Sequence, residues 1–203
     1  MSKAVSLDLE SLSLNPNAII LQIGAVVFEQ EETNLFEELK FRNPIIDIAV
    51  SQDEQVSKFG RHYCSETAAW WEKQGLAKDM LFTRPGIMLD EAIGEFDFWL
   101  KNQMHQHGVD TLWVKGNRDS IWIEGAYEAV GMKFPIHYRN LICARSVGKT
   151  LGITCLGSPS AVPHDALSDA IVQAMWVQKI HSEINKWKRA NYERNSQVPK
   201  MAA

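Results

Sequence analysis

The stretch "KAVSLDLESLSLNPNAIILQIGAVVF", residues 3–28, decides how the rest of the chain is read. Its first eight residues alternate between apolar and polar or small side chains, the period of a β-strand. A turn follows at Asn15-Pro16-Asn17. The run from Ala18 to Phe28 is rich in Ile and Val and suits a central strand buried on both faces. Two strands joined by a short turn open a meander, and the order of the remaining elements decides what covers it.

Working outward, "NLFEELKFR" (34–42) predicts a third strand, antiparallel to the second, and residues 44–64 read as irregular. "SETAAWWEKQGLAK" (65–78) reads as a helical run opened by Ser65 and Thr67. "MLDEAIGEFDFWLKNQMHQHG" (88–108) places Leu89, Ala92, Ile93, Phe96, Trp99 and Leu100 three or four apart and stops at Gly108, which predicts an amphipathic helix. Next come a strand at "DTLWVKG" (110–116), a helix at "DSIWIEGAYEAVG" (119–131) and a short strand passing into a helix at "RNLICARSVGKTL" (139–151). A long helix, "HDALSDAIVQAMWVQKIHSEINKWKRA" (164–190), ends the series. Strands in a meander, then strands alternating with helices, predict an α/β fold with a mixed sheet flanked by helices. One domain is expected over residues 1–190, with a flexible tail at 191–203.

Composition narrows the class. The 203 residues are 45% hydrophobic and 23% charged, with a formal net charge of −4, so the chain lacks the global basicity of an architectural DNA binder. Cys64, Cys143 and Cys155 are odd in number and form no C-x-x-C, which points to free thiols in a reducing compartment. No apolar leader opens the chain, and no stretch reaches the roughly 18 apolar residues of a membrane span, so a cytoplasmic protein without membrane contact is expected.

Asp8 and Glu10 lie two apart on the first strand and point to the same face. Two acids there are costly unless the strand is an exposed edge or something cationic meets them. Asp119 stands where a strand hands over to a helix, where Asp is also a good cap. "VPHDALSDAI" (162–171) loads the start of the last helix with His164, Asp165 and Asp169. Asp165 fits a first-turn acid favoured by the helix dipole, and a capped helix with one exposed His would account for the segment taken alone.

Together, Asp-x-Glu on a first strand, Asp at a later strand–helix junction and His-x4-Asp opening the last helix resemble the DEDDh 3′–5′ exonucleases of the RNase H-like superfamily. Ile23 to Val26 resembles the Ile-Gly-Ala-Val of the second strand. "SETAAWWEKQ" resembles the Thr-x-x-Trp-Trp helix of the phage-type and mycobacterial exoribonuclease-like branch, as does "YRNLICARSV" around Arg139. The resemblance spans about Ser6 to Ala174. It implies that Asp8, Glu10, Asp119 and Asp169 ligate two Mg²⁺ or Mn²⁺ ions, with His164 as general base and Asp165 outside the ligand set. Hard divalent cations prefer oxygen ligands, and phosphodiester hydrolysis favours a metal pair. The implied reaction is release of nucleoside 5′-monophosphates from the 3′ end of single-stranded DNA or RNA, between which no motif chooses. Dimerisation is common among such exonucleases, and no residue here fixes it.

Two positions depart from the family's pattern: Ser11 stands where Thr is usual after the first-motif Glu, and Arg118 where Phe often precedes the second-motif Asp. Neither removes a ligand, and Arg118 could pair with a phosphate. The alternative reading is a nucleic-acid-binding module of the same fold without turnover. "SVGKT" resembles the end of a phosphate-binding loop, but Cys143 stands where its leading Gly belongs. His105 and His107 read as solvated. Of Trp70 and Trp71, one is expected in the core and the other is a candidate for stacking on a base. The tail "KWKRANYERNSQVPK" (186–200) carries five basic residues and could touch a phosphate backbone.

Overall fold

The computed structural model describes residues 2–196. Strand β1 (Lys3–Ser11) pairs antiparallel with β2 (Ile20–Glu29), in a register that sets Asp8 opposite Gly24. β3 (Ile45–Ala49) adds antiparallel to the outer side of β2. β4 (Thr111–Val114) lies parallel to β1 on its other side, and β5 (Leu141–Cys143) lies parallel to β4. The sheet order is β3-β2-β1-β4-β5, so the strand carrying Asp8 and Glu10 is central, not an edge. This is the expected mixed sheet flanked by helices.

The alternation of β1 sorts its side chains between two cores. Val5, Leu7 and Leu9 join Ile23, Ala25 and Val27 against α4 (Leu89–His107) and α5 (Asn117–Ala129). The opposite face meets α7 (Ala166–Ser196), where Ala4, Val26 and Phe28 pack with Leu167, Ile171, Ala174 and Val177. Ser6 is buried on that face: its hydroxyl donates to the Ala170 carbonyl at 2.7 Å and accepts from the Gln173 amide at 2.7 Å. Small or hydrogen-bonded side chains on this face let α7 lie close to the sheet. The same face of β1 continues into Asp8 and Glu10.

Three expectations need correction. "NLFEELKFR" is helix, not strand: α1 spans Phe36–Arg42. Phe36 and Leu39, three apart, are both buried, and Glu38 accepts the Leu35 N–H at 2.9 Å in the first turn, so helical period and capping prevail. The third strand lies in the segment read as irregular, where Ile45, Ile46 and Ile48 supply β-branched side chains around Asp47. The run 65–78 is broken in two, α2 (Ser65–Trp71) and α3 (Leu76–Thr83), because Gly75 takes a left-handed φ of 54°. The helix expected at 139–151 is α6 (Ala144–Leu151). Among the described residues no helix is long and apolar enough to cross a membrane. The tail expected from residue 191 is helical as far as Ser196, and its remainder lies outside the described residues.

Candidate active site

One end of β1 gathers the five residues singled out from sequence. Asp8 and Glu10 are 7% and 9% exposed. β4 runs parallel to β1 with Val114 opposite Leu7, and the chain then turns through Gly116 into α5. That turn brings Asp119, 7% exposed and in the first turn of α5, beside the β1 acids. On the other side, ligand atoms of Glu10, His164 and Asp169 all lie within 4.8 Å of one another.

Crowding and burial oppose ionisation. Burial, followed by the charges of Asp119, Glu10 and Asp169, pushes the Asp8 carboxyl well above the usual aspartate value. Burial and the charges of Asp169 and Asp119 push Glu10 up to about 8. Burial raises Asp119 to about 7, against hydrogen bonding from the backbone of Leu9, Asp119 and Gly116. Lys115, at the end of β4, is a cation whose charge favours the ionised form of all three, and it does not offset burial.

His164 does not open the helix as expected. α7 begins at Ala166, and His164 stands before it with a left-handed φ of 61°. Asp165 is the cap: its carboxylate accepts the Ser168 N–H at 2.9 Å and its carbonyl accepts the Asp169 N–H at 2.9 Å. The imidazole is held edge-on against Trp70, with ring centroids 4.8 Å apart, and lies 6.2 Å from the Trp71 ring.

Sequence reasoning passed over Gln22, Asp47 and Arg84, which secure this loop. The buried Gln22 amide donates to Asp47 at 2.8 Å and Asp165 at 2.9 Å, and its carbonyl oxygen accepts the Ala166 N–H at 3.0 Å. Arg84 clamps both carboxylate oxygens of Asp47, at 3.1 and 2.9 Å. The available signal was a Gln inside an otherwise apolar strand, since a buried amide demands partners.

Trp71 is the core member of its pair, fully buried with its indole N–H donated to the Ser11 carbonyl at 2.9 Å. Trp70 is 40% exposed and, with Leu9, Glu10, Leu14, Thr67 and Trp122, lines a cleft of about 400 Å³ beside the carboxylates. Arg118 donates to the Leu14 carbonyl. "SVGKT" lies within helix α6, so no phosphate-binding loop exists there. His105 is exposed and His107 half-buried. All three cysteines are free.

The donor set fits hard divalent cations. It holds four carboxylates and one imidazole, three of the acids are buried, neighbouring negative charges further oppose ionisation of Asp8 and Glu10, and oxygen atoms dominate. Asp8, Glu10, Asp119 and Asp169 are the residues that could hold such ions.

The chain is similar in fold to solved structures at low sequence identity. The structure of S. pombe Pop2p in a Mg²⁺- and Mn²⁺-bound form is similar at a TM-score of 0.53, with 16% identity over 88% of this chain and 82% of that one. The crystal structure of cell-death related nuclease 4 (CRN-4) aligns at a TM-score of 0.46, with 13% identity over 92% of this chain and 64% of that one. No curated protein is matched. The fold is RNase H-like. The model of the 3′–5′ exoribonuclease Rv2179c-like domain matches residues 3–181, and the chain belongs to that family.

Proposed function

We propose that the chain is a metal-dependent 3′–5′ exonuclease that hydrolyses the terminal phosphodiester of a single-stranded nucleic acid and releases nucleoside 5′-monophosphates. The observation that carries this reading is the meeting of three buried carboxylates with Asp169 and His164 at one end of β1, beside an aromatic cleft. Asp8, Glu10, Asp119 and Asp169 hold two Mg²⁺ or Mn²⁺ ions. Such ions supply Lewis acidity to the phosphodiester and to the water that attacks it.

The chain's own groups do the rest. His164 takes the proton of the attacking water on an imidazole nitrogen, and Trp70 fixes the plane of that ring. The cleft lined by Trp70 and Trp122 takes the terminal nucleoside, its exposed indole face meeting the base. As the new bond from the water oxygen to phosphorus forms, the bond from phosphorus to the 3′ oxygen of the penultimate nucleotide breaks. That oxygen takes a proton from solvent to become the new 3′-hydroxyl, and the phosphate stays on the 5′ oxygen of the released nucleoside. The family's description favours RNA over DNA.

The experiment is incubation of the full chain with matched single-stranded RNA and DNA, labelled at the 5′ end, with Mn²⁺ or Mg²⁺. A ladder shortening from the 3′ end, with mononucleotides as product, is expected. Tight binding of both strands without shortening would replace this reading with that of a binding module.

A further inference from the structure

Helix α6 has a polar outer face. Arg145, Ser146, Lys149 and Thr150 are exposed, while Ala144 and Gly148 turn inward. Arg145 and Lys149 are four residues apart and stand one turn above the other. Among the described residues neither has a carboxylate within ion-pair distance. The stripe begins at the carboxylate cluster: the Arg145 guanidinium lies 3.7 Å from where a Gly116 Cβ would stand, and Gly116 caps the helix that carries Asp119. It ends where Leu151, Ile153, Ile184 and Trp187 line a groove of about 410 Å³ between α6 and α7. Trp187 is 67% exposed there, and Glu183, the acid on the groove, is paired with Lys186 at 2.7 Å.

We infer that this face is the track for the 5′-ward part of a single-stranded polynucleotide whose 3′ end occupies the site beside Asp119. The inference rests on the exonuclease reading and deepens it. Unpaired cations on a chain of net charge −4 suit a polyanion, and they lie on the path leading out of a phosphodiester site. From Arg145 to Leu151 the helix rises about 9 Å, after which Trp187 offers a flat aromatic surface. Cations followed by an aromatic face match a strand that alternates phosphates with bases. A second copy of the chain fits less well, because two-fold pairing through this face would set Arg145 and Lys149 against their own duplicates.

The test compares the full chain with the double variant Arg145→Ala/Lys149→Ala and with Trp187→Ala. Two substrates are used: a dinucleotide and a single strand of about twelve nucleotides, within the usual reach of such surfaces. With Mn²⁺, kcat/KM on the dinucleotide should stay within about twofold, whereas KM for the longer strand should rise about tenfold in each variant. In EDTA, where turnover is not needed, the salt slope for binding the longer strand should fall by about 1.4 in the double variant, two phosphates at about 0.7 each. Equal losses on both lengths, or an unchanged affinity and slope for the longer strand, would overturn the inference. So would a dimer that Trp187→Ala dissolves without weakening strand binding. Failure of the wild type to cleave either substrate counts against the exonuclease reading alone, because the EDTA series still measures the track.

Discussion

Gly24 faces the first turn of helix α7 so closely that a Cβ on it would lie 2.2 Å from the carbonyl carbon of Ala166 and 2.2 Å from the Leu167 nitrogen. Both are backbone atoms and cannot rotate away. Gly24 is also the partner of Asp8 across the β1–β2 pair, so the sheet brings its acid and its helix contact to the same level. Gly24→Ala should therefore push the start of α7, with His164 and Asp169, away from Asp8 and Glu10. The expected cost is about 1–3 kcal/mol of stability, the usual range for overpacking. Activity should fall far more than stability does. Thermal unfolding and a 3′-end trimming assay measure the two, and native values in both would show that α7 can sit elsewhere.

Gln22 tests the network behind His164. Gln22→Leu fills similar space but leaves the Ala166 N–H without an acceptor and strips one donor from each of Asp47 and Asp165. An orphaned buried amide costs about 1–3 kcal/mol. Because the loop rather than the substrate is disturbed, kcat should drop with KM little changed. A loss confined to KM would mean that Gln22 does not position His164.

These two positions also mark the limits of what the residues reveal before folding. β1, β2, α4 and α7 were legible because long segments repeat at period two or near 3.6. The seven residues of α1 fit either period, and the outcome turned on Glu38 capping Leu35, a contact no spacing displays. β3 is five residues long and carries Asp47 at its middle, so it lacked a clean run. Asp8, Glu10, Asp119, His164 and Asp169 each had an ordinary alternative, and only their joint order made them a candidate site. Gln22, Asp47, Arg84 and Asp165 meet from four separate segments, and their partnership is tertiary. No side-chain pattern reports a φ, so the left-handed His164 was out of reach of sequence reading.

The buried acids predict an unusual pH dependence of stability in metal-free protein. Glu10 rises from 4.5 in the unfolded chain to about 8 in the folded one, and Asp119 from 3.8 to about 7. Between these values the folded chain holds protons that the unfolded chain has shed, so stability must fall as pH rises across that window. The cost is absent near pH 4 and fully present above about pH 8. Cations that replace those protons should stabilise more at pH 8 than at pH 5.5. Asp8→Asn should flatten the metal-free profile and abolish turnover, because it removes one charge of the cluster and one oxygen ligand. Melting curves in EDTA and in Mn²⁺ at the two pH values test this. A metal-free protein as stable at pH 8 as at pH 5.5 would show that the acids are not held in mutual opposition.

His164 combines backbone strain with the chemistry of a base. Its φ of 61° is uncommon for a residue with a Cβ and costs about 1 kcal/mol, a cost glycine would not carry. His164→Gly should therefore be no less stable than wild type apart from the lost contact with Trp70, while His164→Ala keeps the strain and loses the ring. Both should lose about 10²–10⁴-fold in rate, the usual worth of a positioned base. Both should still bind Mn²⁺, since Asp8, Glu10, Asp119 and Asp169 remain. Single-turnover trimming at saturating Mn²⁺ measures that loss in both variants. If either variant keeps a rate within a few-fold of wild type, the strained His164 is not the base, and another group must take the proton from the attacking water.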